Sequence, residues 1–517
     1  MSPLLSTPAY PRSGHTRGRA IRTLTLLAVV SLLRSELAAA DTIYQTAGNS
    51  NWSTATWSAG LPNTSTETAV FNQTTGAART VTVNSSYSIA GILFNGTTTP
   101  TTYTVTRTSG GTSTLTLNSA NSIVSSSSGA QTVGGSNLRF TLAADTAFSV
   151  DGTGNLTINP NRITNAGFAI TLNGTGSGNG NVTSNITGTG GLNVTAGNWT
   201  LGGTSTYTGI TNLTGGTLSI AAENRLGGNP GGFTANQLTL NGGTLRTTAS
   251  FSIDDANRGV TLGGSGGTFD ISTGTVTLAS TNIITGTGGA LTKIGTGNLI
   301  LNAANTYDGG TTVTAGTLTL GHASNTLDDS GTVLVNGGTF AIGANSDTVG
   351  AVTLSSGSIT GSGGTLTASS FAFTDTATTV SAILGGSGTL TKTGAGTVTL
   401  SGANTYTGGT TVTTGTLALG HATNTLADSG AVLVNGGTFD IGANSDTVGA
   451  VTLSSGSITG SGGTLTGSSY SLTDSGTISA ILGGSGTLTK TGAGTVTLSG
   501  ANTYSGLSTV TAGTLAL

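Results

Sequence analysis

LTKTGAGTVTLSGANTYTGGTTVTTGTLAL, residues 390–419, occurs almost unchanged at two other places in the chain. Residues 291–320 read LTKIGTGNLILNAANTYDGGTTVTAGTLTL, and residues 488–517 read LTKTGAGTVTLSGANTYSGLSTVTAGTLAL. Lys293, Lys392 and Lys490 hold one place in these copies, at steps of 99 and 98 residues, and Tyr307, Tyr406 and Tyr504 keep the same steps. A worn copy runs from Leu192 to Ile220, with Tyr207 in the matching place. The intervening segments repeat too: GHASNTLDDSGTVLVNGGTF begins at Gly321, and its near twin begins at Gly420. Repetition of this kind points to a stacked array rather than a compact domain.

A finer rhythm lies inside the unit. Val398-Thr399-Leu400, Leu417-Ala418-Leu419 and Phe439-Asp440-Ile441 alternate, and Gly-Gly, Asn-Gly or Ser-Gly turns separate such runs. Period-2 alternation sends Val, Leu and Ile inward and Thr outward. Leu417, Phe439 and Ile458 recur at steps of 22 and 19 residues. One coil of a parallel β-helix takes roughly 20 residues, so this spacing predicts an all-β, parallel β-helix built from tandem repeats.

Composition agrees. The 517 residues include 87 Gly but only 7 Pro, no Cys, and 6% charged residues. High Gly without Pro excludes collagen, and the low charge excludes ordinary disorder. Without Cys, neither disulfides nor thiolate metal sites are available. From Asp41 onward the chain has 17 acidic and 10 basic residues, thinly spread, and no nucleic-acid footprint is visible.

The first 40 residues read as a secretory signal peptide. Arg12, Arg17, Arg19 and Arg22 form a basic start, Leu24 to Leu33 an apolar stretch, and Ala38-Ala39-Ala40 a small-residue cleavage site. This predicts export by the general secretory route and a mature chain with no transmembrane helix. Residues 41–105 are expected to form an N-terminal cap or entry module. Residues 106–517 are expected to form the β-helix.

The quoted stretches closely resemble the autotransporter-associated β-strand repeat, also called the passenger-associated transport repeat. Its pattern is met at Leu390, Lys392, Gly394, Gly396, Leu400, Asn404, Tyr406, Gly408, Val412 and Gly415 to Leu417. The repeats fall near 186–220, 284–320, 383–419 and 481–517. Trp52, Trp57, Gly60, Pro62, Ala69, Phe71 and Gly91-Ile92-Leu93-Phe94 look like the opening module of such proteins. The resemblance implies a right-handed parallel β-helix passenger on a bacterial surface, with repeats that help export and folding. It carries no catalytic residues. Family members of full length end in an outer-membrane barrel, whereas this sequence stops at Leu517, at the end of a repeat. A truncated autotransporter fragment lacking its barrel is therefore one expectation, and release by another route is the other.

No residue is assigned here as catalytic, cofactor-binding or metal-ligating, and the chain is read as non-enzymatic. His322 and His421 occupy equivalent places about five coils apart, roughly 24 Å at ~4.8 Å per coil, and are expected to be exposed turn residues rather than ligands. Lys293, Lys392 and Lys490 are expected to point outward beside tight turns. Tyr307, Tyr406 and Tyr504 are expected to pack over coil corners, with a glycan-stacking ladder as the functional alternative. Asp254, Asp255 and Arg258 form the densest charge cluster, but neighbouring strand residues face opposite ways, so the two carboxyls make a poor glycosidase pair. Gly263 to Gly266 approaches a calcium-binding repeat, with Thr268 where Asp is required and Asp270 two places late. The leading expectation is a structural or adhesive surface protein contacting glycans or other cell-surface components through Thr, Asn and Tyr. The alternative is a β-helix enzyme acting on polysaccharide.

Overall fold

The computed structural model describes residues 41–46, 48–72, 76–96, 101–374, 377–423 and 425–517. The proposed signal peptide lies outside the described residues. The chain is a parallel β-solenoid of about 20 turns. Among the described residues, every pairing between strands is parallel, and a single antiparallel bridge joins Tyr44 to Trp57. One short 3-10 turn, Glu223–Arg225, interrupts the strands.

The predicted spacing is the stacking register. Leu417 pairs with Phe439, Phe439 with Ile458, Ile458 with Ile478 and Ile478 with Leu498. All five side chains are buried. Each such aliphatic or aromatic group contributes about 1.5–3 kcal/mol by leaving water. On another run of strands, outward positions align in their own column: Thr391, Thr411, Leu433, Thr452, Ser471, Thr489 and Thr509 sit side by side. The flank is therefore a neutral, hydroxyl-rich surface with few charges.

Glycine allows the turns to stack. Gly415 has φ +66°, and a Cβ there would lie 2.3 Å from the Gly394 carbonyl oxygen one coil below. Gly316 repeats this arrangement over Gly297, with φ +61° and the same 2.3 Å approach. A side chain at either place would force successive turns apart.

The first coils differ in filling. Tyr44, Trp52, Trp57, Phe71, Phe94 and Tyr103 crowd the interior, and Tyr87 packs against them. Phe71 lies at the centre, 5.0 Å from Tyr103, 5.2 Å from Phe94 and 5.3 Å from Tyr44, centroid to centroid. The polar ring nitrogens are satisfied: Trp52 Nε1 donates to the Pro62 carbonyl at 3.2 Å, and Trp57 Nε1 to the Trp52 carbonyl at 3.1 Å.

Candidate functional site

The motif residues turn inward. Lys293, Lys392 and Lys490 are fully buried, contrary to the expectation of outward side chains. The reason is parity: Leu390 faces the core, so Lys392, two residues on, shares its face. The ammonium groups end in cages of backbone carbonyls. Lys293 Nζ donates to Ile294 at 2.8 Å, Gly295 at 2.9 Å and Ala315 at 3.1 Å. Lys392 donates to Gly394 in its own turn and, at 3.5 Å, to Thr414 in the next coil. Lys490 donates to Gly492. Each cage consists of turn carbonyls that strand ladders leave free, and for Lys293 and Lys392 it spans two coils. Burial pushes Lys293 down to about 8, with Asp270 opposing the shift. In the worn copy the equivalent residue is Val194, also buried.

Asparagine and tyrosine complete the internal scaffold. Asn404 Oδ1 accepts Leu384 N–H at 2.8 Å, while its Nδ2 donates to the Gly402 carbonyl at 2.9 Å and the Thr425 carbonyl at 2.7 Å. Asn305 repeats this pattern with Ile284, Ala303 and Thr326. Sequence reading missed this role; the Asn-Thr-Tyr triplet shared by the three well-kept copies was the available signal. Tyr207, Tyr307 and Tyr406 are buried, with hydroxyls 2.6–2.7 Å from Thr211, Thr311 and Thr410. Burial pushes Tyr207 up to about 12 and raises Tyr307 and Tyr406. These three rings have no face open to a sugar. Tyr504 is less covered, and its hydroxyl meets Ser508 at 2.8 Å.

The charge cluster at Asp254, Asp255 and Arg258 is a structural knot. Arg258 is fully buried. Its Nε lies 3.0 Å from Glu223 Oε1, and a terminal nitrogen lies 2.6 Å from Asp255 Oδ2. The remaining donors reach the carbonyls of Leu226, Gly227 and Gly228. Glu223 also accepts the backbone N–H groups of Asp254 and Asp255, and burial raises its pKa. The two carboxylates therefore share one guanidinium and do not face each other across a cleft. Glu223 was absent from the sequence reading because it lies a full coil earlier.

The other candidates are dispersed. His322 and His421 lie in equivalent loops and are half-buried rather than exposed, each with Nδ1 against a loop carbonyl, Ser324 or Thr423. The histidines are separated by five strand-to-strand steps. Asp270 is 3.5 Å from Arg246, and Ser265 N–H donates to Asn241 in the turn that approaches a calcium repeat. Among the described residues, no three His, Asp or Glu side chains cluster as a metal site would require.

The same loops carry a buried acid. Asp347 accepts Leu327 N–H at 3.1 Å, and Asp446 accepts Leu426 N–H at 3.0 Å. Both residues are only 3% exposed, and among the described residues neither has a cation within ion-pairing distance. Burial pushes Asp347 from 3.8 up to about 7, and Asp446 up to about 6. The native state thus holds protons that the unfolded chain has released. Stability from these groups is fully present below about pH 4 and is lost as pH rises through 6 to 7. Thermal unfolding is expected to show a midpoint that falls between pH 5 and pH 8, with a smaller fall in the Asp347→Asn, Asp446→Asn variant. A midpoint that rises over that range would refute the assignment.

With this geometry in place, comparison with known proteins is informative. The passenger-associated-transport-repeat family profile matches residues 196–220, 291–320, 390–419 and 488–517. A stretch of 86 residues is 43% identical to the adhesin BmaC autotransporter of Brucella suis biovar 1 (strain 1330). That match covers 17% of this chain and only 2% of the adhesin. No solved structure matches the chain. The molecule belongs to the class of parallel β-solenoid repeat proteins. More particularly, it is similar to autotransporter-associated repeat proteins, with four segments that match the passenger-associated-transport repeat.

Proposed function

We propose that the chain is an exported, non-enzymatic passenger with a structural or adhesive role at a bacterial cell surface. Residues 1–40 serve as its secretory leader, residues 41–105 as an entry cap, and residues 106–517 as the binding rod. The observation that carries this reading is the division of labour within the three well-kept repeats. Lys, Asn and Tyr of the repeat, the residue types that could do chemistry, are spent on holding turns together. What faces solvent is a regular hydroxyl and amide flank, suited to many weak polar contacts. Similarity to an adhesin autotransporter supports the same reading. Tyr207, Tyr307 and Tyr406 drop out of the contact surface, leaving chiefly Thr, Ser and Asn.

The repeats are proposed to assist export and folding through the lysine cages. Lys392 reaches the Thr414 carbonyl only when the following coil has stacked, so the lysine favours addition of that coil. The adhesive role is tested by presenting the full chain to an array of glycans and matrix proteins. Retention on a defined subset is expected, without turnover of any polysaccharide. Failure to bind any member, or release of shortened glycan products, would overturn it.

A further inference from the structure

Among the described residues, few cations are free to meet a partner. Lys293, Lys392, Lys490, Arg79 and Arg258 are buried. Arg246 pairs with Asp270, Arg225 donates to Thr204, and Arg107 donates to the carbonyls of Gly111 and Val83. Arg139 and Arg162 remain. Both are exposed, and among the described residues neither guanidinium has a hydrogen-bond or ion-pair partner.

These two arginines are also neighbours. Arg139 lies on strand Gln131–Leu142 and Arg162 on strand Leu156–Thr164, directly paired in the parallel register. Neighbouring strands are about 4.8 Å apart, so two like charges face solvent side by side. Such a pair is unfavourable on a sheet surface unless an anion joins it. The strand bulges just before Arg139: Gly135 pairs with Pro160, and the next regular pair is Arg139 with Arg162. Bulges of this kind re-aim side chains beside functional positions.

The surroundings define the ligand. Thr114 and Asn185 extend the arginine column on the preceding and following coils. The adjacent outward column is Thr116, Thr141, Thr164 and Thr187. Two guanidinium forks suit the planar, bidentate recognition of an anionic oxygen group. The hydroxyls beside them suit neutral sugar hydroxyls. The rest of the chain from Asp41 carries more acidic than basic residues, which disfavours a dense polyanion such as nucleic acid.

We propose that Arg139 and Arg162 form the anion-recognition point for a carboxylate-bearing polysaccharide lying on the Thr flank of the solenoid. The proposal deepens the adhesive reading and rests on it, naming the site and the ligand class. The carboxylate of a uronic acid docks on the arginine pair, and neighbouring sugars lie along the threonine column.

The probe is hyaluronan, in which uronic acids alternate with neutral sugars, tested against the full chain and R139Q/R162Q. Both residues are exposed, so the variant should keep the wild-type melting curve. At low salt the wild type is expected to bind, and the double variant to lose at least ten-fold in affinity. Carboxyl-reduced hyaluronan should lose as much. Equal binding by the variant, equal binding of the reduced polymer, or tighter binding of duplex DNA or phosphate-bearing lipid vesicles would overturn the proposal. A chain that binds neutral glycans but fails these tests keeps the adhesive reading while losing this site. A chain that binds no glycan loses both.

Discussion

Arg258→Ala is expected to cost about 3–5 kcal/mol of local stability, the range for removing one partner of a buried ion pair. The side chain is wholly inside, and its donors meet two carboxylates and three carbonyls. Alanine would leave Glu223, already strained by burial, without its counter-charge. It would also strip donors from Leu226, Gly227 and Gly228, which hold the irregular turn after the 3-10 segment Glu223–Arg225. An unsatisfied buried carbonyl adds about 1–3 kcal/mol if water cannot reach it. Hydrogen exchange is the right measurement, because stability in a solenoid is summed over neighbouring coils. Protection should fall across residues 223–262 while that of 390–419 holds. A double change, E223Q with R258M, should recover part of the loss because the more deeply buried carboxylate is neutralised, leaving only the more exposed Asp255 without its partner. A single Arg258→Ala change that leaves exchange in 223–262 unaltered would show that the knot is dispensable.

The stack through Leu417, Phe439 and Ile458 was readable because two periods coincide there. Alternation gave the face, and the recurrence near twenty residues gave the coil. The resemblance of the thirty-residue motif to a known repeat reinforced both. The lysines were misjudged for a definite reason: residue type was weighed above parity. A strand that starts Leu-Thr-Lys with Leu inside must put Lys inside as well, and only the free turn carbonyls make that tolerable. Those carbonyls belong to positions two and twenty-two residues onward, which a local pattern does not display. The histidines were placed in the right loops but drawn too far into solvent. Glu223 was illegible in another way. Glu223 and Arg258 stand 35 residues apart, far from the twenty-residue beat, and no local pattern marks them as partners. The free pair at Arg139 and Arg162 was overlooked because only the parallel register and its bulge bring the two side by side.

Trp52→Ala is expected to produce the second large effect, at the opposite extreme of chemistry. Trp52 is fully buried, 5.2 Å from Trp57, 5.9 Å from Tyr87 and 6.4 Å from Phe71, centroid to centroid. Truncating a buried tryptophan costs about 3–5 kcal/mol, because the hole it leaves cannot be refilled by rigid rings. The change also removes the Nε1 bond that fixes the Pro62 carbonyl. Coils downstream have only nearest-neighbour contact with this region, so they should not feel the full loss. The first described strand, Asp41–Ile43, pairs on one side alone, with Thr68–Phe71. Loosening it would bare the edge of Thr68–Phe71, an apolar strand that is otherwise covered. Exposed edges of that kind recruit other chains. The variant should therefore lose hydrogen-exchange protection over 41–94 well below the main melting transition, and should self-associate on mild warming. Protection at Tyr406 and its neighbours should be unchanged under the same conditions. If the whole solenoid instead melts together at a lower temperature, the aromatic cluster governs cooperativity along the entire rod, and the cap reading must give way to that of a folding nucleus.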